Sequence, residues 1–370
     1  MTATKGLEGI VATTSSISSI IDGVLTYRGI DIDELAEHAS FEEVVYLLWF
    51  GKLPTETELA QLKDNLSKNA AVPDAVIEQL RLAPKDANAM AVLRTAISAL
   101  SLYDPEAADM SVASNVQKAI KLQAQVATII AAFARIRQGL DPVAPKESAS
   151  IAENFLYMLS GEQPDPVAVE ALDKALVLHA DHELNASTFA ARVTVATLSD
   201  IYSGVTSAIG ALKGPLHGGA NEAVMEMLEE IGSFEAVEDY VNKKLDNKEK
   251  LMGFGHRVYK NGDPRAKHLQ KMSHELGKLT GDLKWYNMSV KIEDMVVSEK
   301  GLKPNVDFYS ASVYTTLGIP RDLFTPIFAI SRMSGWTAHI LEQFENNRLI
   351  RPRAEYVGPV GQSYVPMANR

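Results

Sequence analysis

Three histidines of this chain occur among turn residues or at a helix end, where an imidazole can be presented to a ligand. They are His182, His217 and His256, in the segments 178–183, 214–219 and 253–257. The glycines in the last two segments allow sharp bends and the close approach of a ligand. Imidazole can donate or accept a proton near neutral pH. For any one of these histidines alone, a turn or core position is the more common explanation.

An aspartate and three arginines occur in similar settings. Asp307 follows Pro304 in a turn before a helix of aromatic and small residues, where a helix N-cap is the simplest explanation. Arg265 follows Asp-Pro at an apparent helix start, and by default it is a solvated residue. Arg332 and Arg351, considered alone, would likewise be assigned to the protein surface.

A metal site is the main competing chemistry. His179 and His182 are three residues apart with Glu183 beside them, so they would share a helix face in a metal-dependent hydrolase. The pattern H-x-x-H-E is not an established ligand motif, and we expect no metal. The chain has no cysteine, which excludes disulfides, iron–sulfur clusters and a thiol nucleophile.

The charge and apolar content restrict the partners. A formal net charge of −11 disfavours nucleic acid, and it requires locally concentrated Arg and Lys wherever an anionic metabolite binds. The longest apolar stretch, 126–134, is far shorter than the roughly 20 residues that span a bilayer. The N-terminus resembles neither a secretory signal nor a transit peptide. We therefore expect a cytoplasmic protein without a membrane segment.

Helical apolar spacing dominates the chain after residue 30. Before it, β-branched residues between glycines predict short strands or hairpins. Ser40 and Glu43 have the spacing of a capping box. Helical spacing covers 55–69, 114–138, 165–184, 188–212, 221–231, 233–248, 264–279, 289–300 and 326–344. There is no repeat of fixed period. The expected fold is all-α with a minor N-terminal β element, and 214–219 and 318–320 are possible hinges.

The segment 253–265, Gly-Phe-Gly-His-Arg-Val-Tyr-Lys-Asn-Gly-Asp-Pro-Arg, resembles the signature segment of the citrate synthase family. Further matches follow the family's order. They are Gly6-Leu-Glu-Gly9, Tyr27-Arg-Gly29, Asp181-His-Glu183, Gly214-Pro-Leu-His-Gly-Gly219, Pro304-Asn-Val-Asp307, Ser331-Arg332 and Arg351-Pro352. The resemblance runs essentially from end to end, at the length of the family's shorter form.

The resemblance implies condensation of acetyl-CoA with oxaloacetate, followed by thioester hydrolysis. The methyl group is a weak carbon acid, so a base needs a donor that stabilises charge on the thioester oxygen. By resemblance Asp307 is the base, His217 that donor, and His256 the acid for the oxaloacetate carbonyl, while His182 also holds this substrate. Arg265, Arg332 and Arg351 match the oxaloacetate clamp. Lys260 matches a contact to CoA phosphate, and Arg257 and Lys303 are nearby candidates without a firm match.

The resemblance also implies an architecture: a large domain of 1–218 and 323–370, a small domain of 219–322, and closure around oxaloacetate. It implies a homodimer in which Arg351 reaches the partner's site, and it requires neither metal nor another cofactor. The nearest alternative is 2-methylcitrate synthase, whose propionyl-CoA differs by one methylene, which a pocket discriminates by about 1–3 kcal/mol. A non-enzymatic helical scaffold leaves the recurrence of His, Asp and Arg in turns unexplained.

Overall fold

The computed structural model describes residues 5–7, 9–256, 258–259 and 262–370. These residues form sixteen α-helices and one small sheet, so the predicted all-α fold with a minor β element is confirmed. The helices are α1 (Ile32–His38), α2 (Phe41–Phe50), α3 (Glu56–Lys68), α4 (Asp74–Leu82), α5 (Ala89–Leu100), α6 (Val112–Ile136), α7 (Ile151–Ser160), α8 (Pro166–His179), α9 (Ala186–Val195), α10 (Ile201–Leu212), α11 (Ala220–Ile231), α12 (Val237–Asp246), α13 (Ala266–Thr280), α14 (Lys284–Lys300), α15 (Val306–Thr316) and α16 (Phe324–Glu345).

The short strands predicted near the N-terminus are present and form an antiparallel meander. Its strands are β1 (Ser18–Ile21), β2 (Val24–Tyr27) and β3 (Ile30–Asp31). Asp22 and Gly23 join the first two strands with positive φ angles of 53° and 83°. Two consecutive positive φ angles are characteristic of a tight type I′ hairpin turn, which glycine adopts without strain.

Helix α16 lies at the centre of the fold and is buried along almost its whole length. It packs against α2, α6, α8, α9 and α10, while α11 to α15 pack mainly against one another. Helix α6 is long and apolar enough to cross a membrane, but 78% of its most apolar window is buried, as in a core helix. The division into a large and a small domain stays a prediction.

The sequence interpretation was wrong at several helix boundaries. The stretch 165–184 was expected to be one helix, but α8 ends at His179. The stretch 188–212 is divided between α9 and α10, because Leu198 has a φ of 68° and Asp200 caps α10 by accepting from the Ser203 amide. Helices α1, α4, α5 and α7 were not predicted. The capping box of Ser40 and Glu43 is confirmed at the start of α2.

Candidate active site

The segment that carries His256 is fixed to the turn before α15. The Asn305 amide donates to the Gly253 carbonyl over 2.9 Å, and the Asn305 side chain accepts from the Asp307 amide over 3.0 Å. A Cβ at Gly253 would lie 2.7 Å from the Phe308 ring, so only glycine allows this approach. The backbone therefore fixes the two segments that carry His256 and Asp307 relative to each other.

Asp307 is the second residue of α15, and Asn305 is the N-cap. The interpretation of Asp307 as an N-cap is therefore wrong, and its carboxylate makes no hydrogen bond to any residue in the described ranges. Burial raises the pKa of Asp307 to about 6, although the nearby Arg265 guanidinium acts in the opposite direction. A carboxylate with a raised pKa is a stronger base than a solvated aspartate.

Two imidazoles have tautomers that their hydrogen bonds assign. His256 Nδ1 accepts from the amides of Val258 (3.0 Å) and Tyr259 (3.3 Å), so its proton is on Nε2. His217 Nε2 accepts from the Ser187 amide (3.3 Å) and lies 2.7 Å from Ser187 Oγ, so its proton is on Nδ1. Neither N–H donates to a described residue, and each is available to a substrate oxygen.

These histidines are neutral at pH 7. Burial lowers the pKa of His217 to about 4, and the positive charge of Arg332 contributes. Burial also lowers the pKa of His256, with Arg265 as the next cause, and it lowers that of His182 well below the usual value. At neutral pH such imidazoles can donate hydrogen bonds but carry no positive charge.

His182 lies in the segment after α8, and the N-terminal sheet holds that segment. Tyr27 of β2 donates its hydroxyl hydrogen bond to the Asp181 carbonyl over 3.1 Å. His182 Nε2 is 3.0 Å from the Tyr259 hydroxyl, and its ring centroid is 5.4 Å from that of His256. The structure therefore brings together two of the three histidines that the sequence singled out, and the minor β element supports one of them.

The metal alternative loses its geometric basis. Because α8 ends at His179, His179 and His182 do not share a helix face, contrary to expectation. His179 is fully buried, and its Nδ1 is 2.7 Å from the carbonyl of Ala175 on its own helix. Within the described ranges, no three His, Asp or Glu side chains are grouped to hold a metal ion.

Arg265 is buried and already paired. Its Nε and Nη2 donate to the two carboxylate oxygens of Asp263 over 2.9 and 2.8 Å. Asp263 also accepts from the Val306 amide over 3.0 Å, which ties the pair to the start of α15. Burial disfavours the charged form of both residues, but the ion pair between them has the larger effect. The pKa of Asp263 is therefore lowered and that of Arg265 is raised. The expectation of a solvated arginine is wrong.

Arg332 is buried without a carboxylate partner. It is 1% exposed on α16, its Nε donates to the His179 carbonyl over 2.8 Å, and its guanidinium lies 4.7 Å from the centre of the Phe328 ring. No ion pair joins it to any residue that the structure describes. Burial lowers the pKa of Arg332 to about 10, so it remains charged at neutral pH. A buried, uncompensated cation is costly unless an anion binds to it.

The remaining expected residues lie elsewhere. Arg351 is exposed after α16 and lines a cavity of about 770 Å³ together with the N-terminal segment, Arg192 and Glu342. It does not join the cluster around His256, and its expected role in a partner's site stays a prediction. Lys303 is exposed. Arg257 and Lys260, both expected near CoA, lie outside the described residues.

Sequence reasoning missed four residues that position this cluster. Asp263 pairs with Arg265, Tyr259 contacts His182, and Ser187 contacts His217. Trp336 donates its indole N–H to Ser187 Oγ over 3.0 Å. A signal existed for Asp263 and Tyr259, which stand in the same signature segment. None existed for the contact between Ser187 and His217, which are thirty residues apart.

Comparisons with known proteins identify the family. The family model described as citrate synthase, C-terminal domain, matches residues 6–353. Citrate synthase 2 of Bacillus subtilis is 66% identical over 100% of both chains, and 2-methylcitrate synthase 2 of Corynebacterium glutamicum is 43% identical over 99% of this chain and 97% of its own. Citrate synthase of Thermoplasma acidophilum, solved in a ternary complex with carboxymethyl coenzyme A and oxaloacetate, has a TM-score of 0.91 at 38% identity, covering 98% of each chain. The chain belongs to the citrate synthase family and is an acyltransferase.

Proposed function

We propose that this enzyme condenses acetyl-CoA with oxaloacetate and hydrolyses the resulting citryl-CoA to citrate and CoA. The observation that carries the proposal is Arg332, a buried guanidinium without a carboxylate partner in the described residues. Arg332 acts electrostatically on His182, His217 and Asp307. An anionic substrate is therefore drawn to a site that also holds a base and two N–H donors.

In the first step Asp307 removes a proton from the methyl carbon of acetyl-CoA. Its raised pKa, about 6, brings its basicity closer to that needed for a weak carbon acid, while it remains ionised at pH 7. The Nδ1–H of His217 donates to the thioester oxygen, on which charge develops. Ser187 holds the opposite nitrogen of this ring and so fixes the direction of the donor.

In the second step the enolate carbon attacks the ketone carbon of oxaloacetate and a C–C bond forms. The ketone oxygen takes its proton from His256 Nε2. Two backbone amides donate to the other ring nitrogen, and they stabilise the negative charge that the ring then acquires. Water finally cleaves the thioester C–S bond: its oxygen becomes part of the new carboxyl group and CoA leaves as the thiol. The proton taken up by Asp307 restores the neutral His256 ring. Arg332 binds a substrate carboxylate, Arg265 contributes its charge while paired with Asp263, and His182 donates to the same substrate.

The proposal extends to partners and assembly. Arg351 of one subunit completes the site of another in a cytoplasmic homodimer, and the exposed apolar side chains of the C-terminal segment, Tyr356, Val357 and Val360, support burial against a neighbour. Lys303, Arg257 and Lys260 are the proposed contacts to CoA. Residues 219–322 form the proposed small domain, which closes on oxaloacetate. No metal or other cofactor takes part.

A thiol-release assay tests the proposal. The purified enzyme should release CoA from acetyl-CoA only when oxaloacetate is present and without added metal. Absence of an oxaloacetate-dependent signal would contradict it. Propionyl-CoA is the matched second substrate, because relatives of both specificities match this chain. A higher kcat/KM for propionyl-CoA would instead assign the 2-methylcitrate synthase reaction.

A further inference from the structure

A buried polar contact connects α16 with the residue before His182. His339 is 1% exposed on α16, and its Nδ1 accepts from Arg192 Nη1 over 3.0 Å. Because arginine only donates, the proton of His339 is on Nε2. That nitrogen donates to the Asp181 carboxylate over 3.1 Å. Asp181 is completely buried, and the hydroxyl of Ser18 also donates to it.

The same face of α16 is shaped to receive Asp181. A Cβ at Gly335 would lie 2.4 Å from the Ala180 carbonyl oxygen and 2.5 Å from Asp181 Oδ1. The absence of a side chain at Gly335 therefore allows this segment to pack directly on the helix. Arg332, three residues earlier, and His339, four residues later, lie on the same helix face.

The Asp181 carboxylate acts on the Arg332 guanidinium through its charge but does not hydrogen-bond to it. Burial is the main cause that lowers the pKa of Arg332, and the Asp181 charge is the leading contribution in the opposite direction. No hydrogen bond joins the two side chains within the described ranges. The carboxylate thus stabilises the guanidinium charge electrostatically and leaves its N–H donors available.

We propose that His339 is a positioning residue for oxaloacetate: by holding the Asp181 carboxylate it fixes His182 and leaves the N–H donors of Arg332 open to a substrate carboxylate. This inference rests on the proposed function, because it takes oxaloacetate as the ligand. It assigns to His339, which touches no proposed substrate, an effect on oxaloacetate affinity rather than on the proton-transfer step.

The test compares His339→Leu, His339→Gln and Tyr202→Phe by calorimetric binding of oxaloacetate. His339→Leu should weaken binding about tenfold or more, the size expected when a buried charged group loses its partner. His339→Gln offers an amide N–H near the position of Nε2 and should restore most of the affinity. Tyr202→Phe removes another buried hydrogen bond to a carboxylate, 2.6 Å to Asp104, and should leave affinity unchanged.

Gly335→Ala is the second variant, because it displaces Asp181 without altering His339. It should weaken oxaloacetate binding to a similar degree, even if His339→Leu fails to fold. The inference would be overturned if folded His339→Leu or Gly335→Ala bound oxaloacetate with wild-type affinity. It would also be overturned if Tyr202→Phe weakened binding as much as His339→Leu. The binding assay needs no turnover, so a wild-type enzyme that binds oxaloacetate but releases no CoA would contradict the proposed reaction alone. A wild-type enzyme that does not bind oxaloacetate would overturn both.

Discussion

Asp307→Asn should separate catalysis from stability. The amide has nearly the same shape as the carboxylate, and Asn305 rather than Asp307 caps α15, so the helix start is preserved. Asn cannot act as the base. We expect kcat to fall at least about a hundredfold, the usual effect of losing a general base. The same substitution should make the protein more stable at neutral pH.

The stability gain follows from the raised pKa. The folded protein raises the pKa of Asp307 from 3.8 to about 6, so between these values it binds more protons than the unfolded chain. The carboxylate is neutral in both states below pH 3.8, and its unfavourable burial grows as pH rises to 6 and persists above. About two pKa units correspond to at most about 3 kcal/mol. The Asp307→Asn variant avoids the free-energy cost of burying this charge at pH 8. Near pH 4 the carboxylate is mostly neutral in the folded protein, so the variant should gain little stability there.

Thermal and urea unfolding at both pH values provide the assay. The variant should exceed wild type at pH 8 by a few degrees in Tm, with a smaller difference near pH 4. Asp263→Asn is the matched control, because it leaves Arg265 buried without its partner and should destabilise by about 3–5 kcal/mol. Reduced stability of Asp307→Asn at pH 8, or an equal gain at both pH values, would refute the burial argument.

Four further outcomes are expected. In a pH profile, kcat should fall about tenfold per unit on the acidic side of a midpoint at or above pH 6 as the proposed base is protonated; a flat profile down to pH 5 would exclude it. Arg332→Leu should abolish calorimetric oxaloacetate binding without lowering Tm, whereas Arg265→Leu should lower Tm because it leaves Asp263 without its ion-pair partner. A lower Tm for Arg332→Leu and an unchanged Tm for Arg265→Leu would contradict the conclusion that only Arg265 is paired. Mixing Arg351→Leu with His256→Ala subunits should restore activity through one intact site per heterodimer, and a verified heterodimer without activity would reject shared sites. Incubation with EDTA should leave CoA release unchanged, and inactivation would restore the metal alternative.

Local patterns predicted the parts of the fold that local physics determines. The short N-terminal strands and the capping box of Ser40 and Glu43 each depend on neighbouring residues, so the sequence contains the whole interaction. The break between α9 and α10 was missed because apolar spacing continues across it. Its cause, a cap at Asp200 after a residue with positive φ, is visible mainly in the backbone.

The arrangement of the candidate site depends on contacts between distant segments. The residue types and their order indicated His217 and Asp307, yet the tautomer of His217 depends on Ser187. The raised pKa of Asp307 depends on burial, which the packing of the elements around α15 creates. Arg332 was assigned to the surface by default, because a charged residue in a helical pattern is normally exposed. The structure shows that it is buried. The tautomer of a histidine, the pKa of a buried carboxylate and the burial of an arginine can be assigned only from the tertiary structure.

In the proposed mechanism, the two buried arginines would let an acidic chain bind a dianion without charged histidines. Arg265 is hydrogen-bonded to the Asp263 carboxylate, whereas Arg332 has no carboxylate hydrogen-bonded to it among the described residues, so Arg332 is the guanidinium more open to a substrate carboxylate. The arginine charges also lower the histidine pKa values, so the charge that attracts the substrate keeps the imidazoles as neutral donors. In that mechanism, the carboxylates of bound oxaloacetate would offset the arginine charge that restrains the pKa of Asp307. The base therefore becomes stronger once its reaction partner is present, which is why the midpoint for kcat is expected at or above pH 6 rather than below it.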